Sequence, residues 1–184
     1  MRIVGGRFRG HALAAPSGRA IRPTADYLRE ALFNVLVHAY GDPVEGARVI
    51  DLFAGTGALG LEAMSRGARY CLFVEEAAEA RGLIRRNIEA LGLNGETRLF
   101  RRDATRLGPC APVEPFSLAF LDPPYGKGLG EKSLASLAAG GWLATGGLAV
   151  LEETAEAEIV VPDAFELVET RDKGDTRLAF LRLR

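Results

Sequence analysis

Glutamine is absent from this chain of 184 residues, asparagine occurs three times, and only three of the 23 basic residues are lysines. A heat-adapted source produces such a bias, and so does a skewed nucleotide composition, so it decides nothing about function. Cysteine is scarce: Cys71 sits in an apolar run and Cys110 in a proline-rich loop. Two thiols without C-x-x-C spacing read as unpaired, with neither a redox pair nor a metal site, and no metal is expected. No uninterrupted apolar stretch reaches the roughly 20 residues of a membrane-spanning helix. The opening Met1-Arg2-Ile3-Val4-Gly5-Gly6 lacks the apolar core of a signal peptide. A cytoplasmic, monomeric protein without a membrane partner is the expectation. Repeats and low-complexity tracts are missing too, and the length suffices for one compact α/β domain with a short extension.

Strong net charge is also lacking, since the formal balance is −1. The average conceals an uneven distribution. The first 30 residues carry six arginines, at 2, 7, 9, 19, 22 and 29, against Asp26 and Glu30, a net of +4 that leaves about −5 for the remainder. A basic arm on an acidic body suits a phosphate-contacting appendage. A solvated tail would have the same composition.

What is present is a regular alternation of elements. Residues 1–15 alternate loosely around Gly5-Gly6 and Gly10 and read as a short hairpin. Pro23-Thr24 starts a helix in which Leu28, Ala31, Leu32, Val35 and Leu36 recur at helical spacing to about Tyr40, and Gly41-Asp42-Pro43 ends it. These features predict an N-terminal hairpin and helix over 1–42 packed on a main domain over 43–184. In that domain strands are predicted at 49–52, 70–74, 98–100, 116–121 and 148–151, and helices at 58–65, 77–91 and 132–139. Strand and helix units in this order favour a mostly parallel sheet covered on both faces. The segments 165–170 and 177–183, separated by Asp172-Lys173-Gly174-Asp175-Thr176, predict an antiparallel hairpin at the end. The expected fold class is α/β, a seven-stranded Rossmann-like sheet whose C-terminal strand is antiparallel.

The first strand of the domain runs into Asp51-Leu52-Phe53-Ala54-Gly55-Thr56-Gly57-Ala58-Leu59-Gly60. Gly55, Gly57 and Gly60 satisfy G-x-G-x-x-G between a strand and a helix, where glycines permit a tight turn and let a ligand approach the backbone. Asp51 ends the strand beside this turn. A carboxylate there attracts the ammonium of a methionyl group and repels a pyrophosphate, which favours S-adenosylmethionine over a dinucleotide. Glu75 closes the second strand, placed to accept hydrogen bonds from ribose hydroxyls. Asp103 follows the third strand, placed for the adenine with the Ala104 backbone beside it.

The fourth strand delivers Asp122-Pro123-Pro124-Tyr125 to the carboxyl edge of the sheet, where open α/β folds bind ligands. Two prolines remove two N–H donors and fix φ, so the loop presents acceptors only. With the Asp122 carboxylate and the Pro123 carbonyl as acceptors, both hydrogens of an aryl amine can be held for attack on a sulfonium methyl. Tyr125 offers a face on which an extruded base can stack.

Together these motifs resemble the class I S-adenosylmethionine-dependent methyltransferases that modify exocyclic amines. The opening Met1 to Gly10, Arg22-Pro23-Thr24, Phe33-Asn34-Val35-Leu36 and Gly174-Asp175-Thr176 are similar to the RsmD family, which methylates N2 of a guanine, position 966, in bacterial 16S ribosomal RNA. The resemblance implies cofactor contacts at Asp51, Phe53, Gly55, Thr56, Gly57, Gly60, Glu75, Asp103, Ala104 and Thr24, and catalysis by Asp122, Pro123, Pro124 and Tyr125. It further implies that Arg2, Arg7, Arg9, Arg19 and Arg22 meet RNA within a partly or fully assembled small ribosomal subunit. Glu75-Glu76-Ala77 departs from the family in lacking the acidic residue that often stands two places after the ribose-binding glutamate. The tetrapeptide does not separate guanine N2 from adenine N6 in RNA or DNA. A nicotinamide-dependent oxidoreductase would share the glycine loop, and a non-catalytic RNA-binding module would share the basic arm.

Overall fold

The computed structural model describes residues 1–17 and 23–184, with side chains from residue 25 onward in the second stretch. Among the described residues four α-helices, α1 (Pro23–Ala39), α2 (Ala58–Ser65), α3 (Ala78–Ala90) and α4 (Leu129–Ala139), accompany seven strands. The strands are β1 (Arg48–Leu52), β2 (Tyr70–Val74), β3 (Thr97–Phe100), β4 (Phe116–Leu121), β5 (Leu143–Thr154), β6 (Phe165–Lys173) and β7 (Thr176–Leu183). They form one sheet in the order β3-β2-β1-β4-β5-β7-β6. Among the described residues no helix is long and apolar enough to cross a membrane.

Strands covered on both faces need apolar side chains in both directions, and β1, β2 and β4 are accordingly almost wholly buried. Alternate residues separate into two cores. On one face Val49, Phe73, Leu118, Phe120 and Phe180 pack with Leu32 and Leu36 of α1, Leu61 of α2 and Ile84 of α3. On the other, Ile50, Leu52, Leu72 and Leu121 pack with Leu134 and Leu137 of α4 and with Trp142. Phe33 of α1 meets Phe120 of β4 at 5.5 Å between ring centroids, and Tyr40 stacks on Phe180 at 4.9 Å. The N-terminal helix thus contributes to the same core as the sheet.

β1 to β3 step outward, and the chain then returns to place β4 on the free side of β1. This reversal creates a crevice between the carboxyl ends of β1 and β4. β5 starts earlier than its apolar run suggests. Leu143 pairs with Phe116, the chain then loops out through Gly146 and Gly147, and pairing resumes at Leu148 opposite Leu118. The final hairpin closes more tightly than its polar residues suggest, because Lys173 pairs with Thr176 and only Gly174-Asp175 form the turn. β7 is the antiparallel strand and lies between β5 and β6, which leaves β6 at the edge.

The N-terminal arm is a narrow loop with one antiparallel bridge, Arg2 to Ala12, reinforced by Ile3 N–H to the His11 carbonyl (3.0 Å) and Leu13 N–H to the Met1 carbonyl (3.0 Å). It is not free. The Glu62 carboxylate of α2, fully buried, accepts hydrogen bonds from the Val4 N–H (3.0 Å), the Gly5 N–H (2.9 Å), Arg29 Nε (3.0 Å) and Arg66 Nε (2.8 Å). Ser65 binds the Phe8 N–H through its hydroxyl and the Arg7 N–H through its carbonyl. At Gly6 the approach is so close that a Cβ would lie 1.9 Å from the Ser65 carbonyl oxygen. Asn87 of α3 holds both the N–H (2.7 Å) and the carbonyl (3.2 Å) of Ala14.

Replacing Glu62 by alanine leaves Arg29 buried beside two orphaned N–H groups. Urea unfolding of Glu62→Ala is expected to show a loss of about 3–5 kcal/mol, with faster tryptic cleavage after Arg7 and Arg9; wild-type stability and cleavage would refute the anchoring role.

Candidate active site at the carboxyl edge of the sheet

The crevice opens into a cavity of about 190 Å³. Its wall combines the glycine loop with Asp51 of β1, Asp122 after β4, Glu152 of β5, Leu178 of β7, Met1 of the arm, and Leu28, Arg29 and Leu32 of α1. The enclosed space is below the ~300–1,000 Å³ of sites that surround a whole drug-sized ligand. It suits one end of such a ligand, with the rest lying outside along the sheet edge.

The glycine loop is fixed from several sides. Phe53 holds a left-handed backbone (φ 55°), which costs a non-glycine residue about 1 kcal/mol or more and turns the chain sharply off the strand. Gly60 N–H donates to Asp51 Oδ2 (2.9 Å), tying the start of α2 to the end of β1. A Cβ at Gly60 would stand 2.5 Å from the Phe73 ring and 2.6 Å from Cys71 Sγ, so close helix–strand packing requires glycine there. Gly55, by contrast, has nothing within 4 Å of where its Cβ would be. Asn87 Nδ2 also donates to the Thr56 carbonyl (2.9 Å), so one amide side chain joins the arm to this loop.

The expected cofactor residues divide into two groups. Asp51, Phe53, Gly55 and Thr56 line the cavity. Gly57 is the left-handed cap of α2. Glu75 lies outside the wall and braces it, since Oε2 accepts the Gly55 N–H (2.9 Å) and Oε1 the Ala77 N–H (3.1 Å). A carboxylate has about four acceptor sites, which leaves two open at the end of β2. Asp103 is beside it after β3, where Oδ1 accepts both the N–H (2.8 Å) and the hydroxyl (2.7 Å) of Thr105. These bonds hold its carboxyl below the usual range. Ala104 is buried in the α4-side core, so only its backbone could face a ligand. The Thr24 side chain, Arg19 and Arg22 lie outside the described residues.

The loop after β4 begins with the Asp122 N–H on the Leu52 carbonyl (3.4 Å), which places it against the end of β1. Pro123 is buried, while Pro124 and Tyr125 are exposed. Two acids at the end of β5 support this loop: Glu152 accepts the Tyr125 hydroxyl (2.5 Å), and Glu153 accepts the Gly126 N–H (3.1 Å). Glu152 and Glu153 were not among the expected site residues. A signal was available, because both stand at the carboxyl end of an apolar strand, where Asp51, Glu75 and Asp122 also occur.

The crowding of carboxylates changes their chemistry. Burial pushes the Asp51 carboxyl up to about 8, with the charge of Glu75 adding to the effect and the Gly60 N–H opposing it. Asp122 is reached by solvent through the cavity, yet protein crowds it from most directions. That desolvation raises its carboxyl well above the usual range, and the charges of Glu152 and Asp51 act in the same sense. Glu152 is raised by burial and by Glu153, while hydrogen bonds from Tyr125 and Asp122 oppose the rise. Among the described residues no group of three or more His, Cys, Asp or Glu could hold a metal ion.

The arm reaches the cavity wall through Met1, and its arginines are differently disposed. Arg29 is only 4% exposed, so one of its six arginines is structural. Arg7 pairs with Glu96 (3.4 Å), which precedes β3 and so lies at the opposite edge of the sheet. Arg2 and Arg9 are exposed.

A sheet of this order, with a glycine loop after β1 and an Asp-Pro-Pro-Tyr loop after β4, is the Rossmann-like fold of class I methyltransferases. The solved structure of yhhF from Escherichia coli is similar to this chain with a TM-score of 0.83 at 32% identity, covering 100% of this chain and 98% of that one. The Thermus thermophilus 16S rRNA N2 guanine methyltransferase RsmC, solved with AdoMet and guanosine, shares the fold at a TM-score of 0.62 and 22% identity over 91% of this chain and 45% of its own. In sequence, ribosomal RNA small subunit methyltransferase D of Escherichia coli is 38% identical over 157 residues, 85% of this chain and 76% of that protein. The family described as Conserved hypothetical protein 95 matches residues 1–182. The chain belongs to that family, the RsmD family of methyltransferases.

An acid whose folded-state pKa is raised contributes stability below its unfolded value and loses it as pH rises through the folded value. The free protein is therefore expected to lose stability steadily from pH 5 to about 8. Asp51→Asn should flatten that slope in urea titrations, and an unaltered slope would remove Asp51 as its source.

Proposed function

We propose that this protein is an S-adenosylmethionine-dependent ribosomal RNA methyltransferase acting on the exocyclic N2 amine of guanine 966 in 16S rRNA of the small ribosomal subunit. The observation that carries the reading is the convergence of Asp51, the open glycine loop and the Asp122 loop on one cavity. The names of the relatives supply the RNA: ribosomal RNA small subunit methyltransferase D in Escherichia coli and in Haemophilus influenzae.

The residues present fit the cofactor by their charge. Asp51, Asp122 and Glu152 share a cavity wall without a neutralising partner for each, a donor set suited to a ligand carrying ammonium and sulfonium charges. Bound there, S-adenosylmethionine would supply an electrophilic methyl group, its methyl–sulfur bond breaking as the bond to nitrogen forms and S-adenosylhomocysteine leaving as a neutral thioether. Asp51 would hold the ammonium, and Glu75 and Asp103 would take the adenosine along the carboxyl ends of β2 and β3. Positive charge beside Asp51 and Asp122 favours their ionised forms, so Asp122 would be able to accept a proton. With the Pro123 carbonyl it holds the two amine hydrogens and directs the nitrogen lone pair away from the base. As the nitrogen gains its new bond and a positive charge, Asp122 stabilises that charge and takes the released proton, with Glu152 adjacent to receive it. Tyr125, held at its hydroxyl by Glu152, leaves its ring face exposed for the extruded guanine.

Asp122→Ala is expected to lower kcat on the order of 100- to 1,000-fold, well beyond any loss of cofactor affinity read by calorimetry; turnover at the wild-type rate would refute its role. For the substrate, purified small subunits and naked 16S rRNA should be incubated with labelled cofactor and digested for mass analysis. N2-methylguanosine is expected, whereas label confined to N6-methyladenosine, or no label, would overturn the assignment.

A further inference from the structure

Arg29 is a buried cation that the reading above leaves unused. Its Nε donates to Glu62 (3.0 Å), and Nη2 donates to Asp26 (3.1 Å) and to the Arg2 carbonyl. Nη1 has no acceptor among the described residues. Since every fully buried side-chain nitrogen or oxygen among them has a partner, Nη1 is not sealed in. The residue contributes to the cavity wall, and among the described residues it is the one cationic side chain there, with Asp51, Asp122 and Glu152 as the three acids.

We propose that Arg29 binds the carboxylate of the methionyl group of S-adenosylmethionine through Nη1. The inference rests on the reading that this cavity takes that cofactor, and it adds the one charged group of the ligand for which no partner has been named. The ligand carries a carboxylate, an ammonium and a sulfonium. The wall offers a guanidinium on α1 and carboxylates at the ends of β1, β4 and β5, so the two charge patterns match in one orientation. The carboxylate turns towards α1 and the sulfonium towards Asp122. Three of the guanidinium's hydrogen bonds are committed to Glu62, Asp26 and Arg2, so the group is held in place before the ligand arrives, and little side-chain freedom remains to be lost on binding. A lysine would keep the charge without the fork that fixes its position.

Decarboxylated S-adenosylmethionine retains the sulfonium and the amine and lacks only the carboxylate, which makes it the direct probe. In calorimetry the wild-type protein is expected to bind it roughly 10- to 100-fold more weakly than the intact cofactor. In Arg29→Met the intact cofactor should fall to the same weak level while the decarboxylated form is unchanged. Equal binding of the two by wild-type protein overturns the proposal, as does a folded Arg29→Met that weakens both in parallel, the outcome of a purely structural role. Should Arg29→Met fail to fold, Arg29→Lys serves the same comparison: a ratio falling towards one supports the assignment and an unchanged ratio overturns it. Failure of wild-type protein to bind either compound would instead count against the cofactor itself.

Discussion

The Glu62 carboxylate is the point on which the arrangement of the first 40 residues depends. A fully buried anion is tolerated only where hydrogen bonds replace the water it has lost, and this one takes two from the arm, one from α1 and one from its own helix. Each donor belongs to a segment that reaches the cavity or borders it: the arm brings Met1, α1 brings Leu28 and Arg29, and α2 is tied through Gly60 to Asp51. One desolvated charge thus orients three walls of the site. Arg66 completes the neutralisation and also lies over the ring of Phe33, so the ion network merges into the hydrophobic packing of α1 on β4.

At the opposite pole of the same site, charge is gathered with far less compensation. Acids stand at the carboxyl ends of β1, β2, β4 and β5, and the sheet brings Asp51, Asp122 and Glu152 into one crevice, with Glu75 bracing the glycine loop from outside it. Burial first, and the like charges of neighbouring acids second, raise the carboxyls of Asp51, Asp122 and Glu152 above their ordinary range. The free protein therefore holds its binding edge in a state that a positively charged ligand would relieve, and affinity and protonation are coupled there. Function conflicts here with stability in the usual manner of binding sites.

Much of this was legible in the sequence because the strands around the crevice are short apolar runs with sharp ends. Val49 to Leu52 and Phe116 to Leu121 stop at Phe53-Ala54-Gly55 and Asp122-Pro123-Pro124, and α2 begins where the glycine spacing requires. β5 was harder, since Gly146-Gly147 has the composition of a turn and is in fact a loop-out within a strand whose pairing continues on both sides. The roles of charged residues were the least legible. Glu62 in Ala58 to Ser65 has the look of an exposed helical acid, and its backbone partners are 57 and 58 positions away. Arg29, counted with a basic arm, is enclosed by groups that no local pattern announces. Charge summed over a segment says how much is present but not which side chains face water.

The position of β7 bears on the order in which the molecule can be assembled. β6 has no neighbour in the sheet except β7, and β7 follows it in the chain. While a ribosome is extending the polypeptide, β6 must wait as an unattached segment, with Phe165, buried in the folded protein, still uncovered, until its successor has emerged and docked on β5. The parallel strands β1 to β5 can pair before that moment, but Leu178, which lines the cavity, arrives only with β7. A nascent chain can thus complete its glycine loop and brace its tyrosine loop before the cavity gains its β7 wall, so the site is whole only after the last pairing of the sheet.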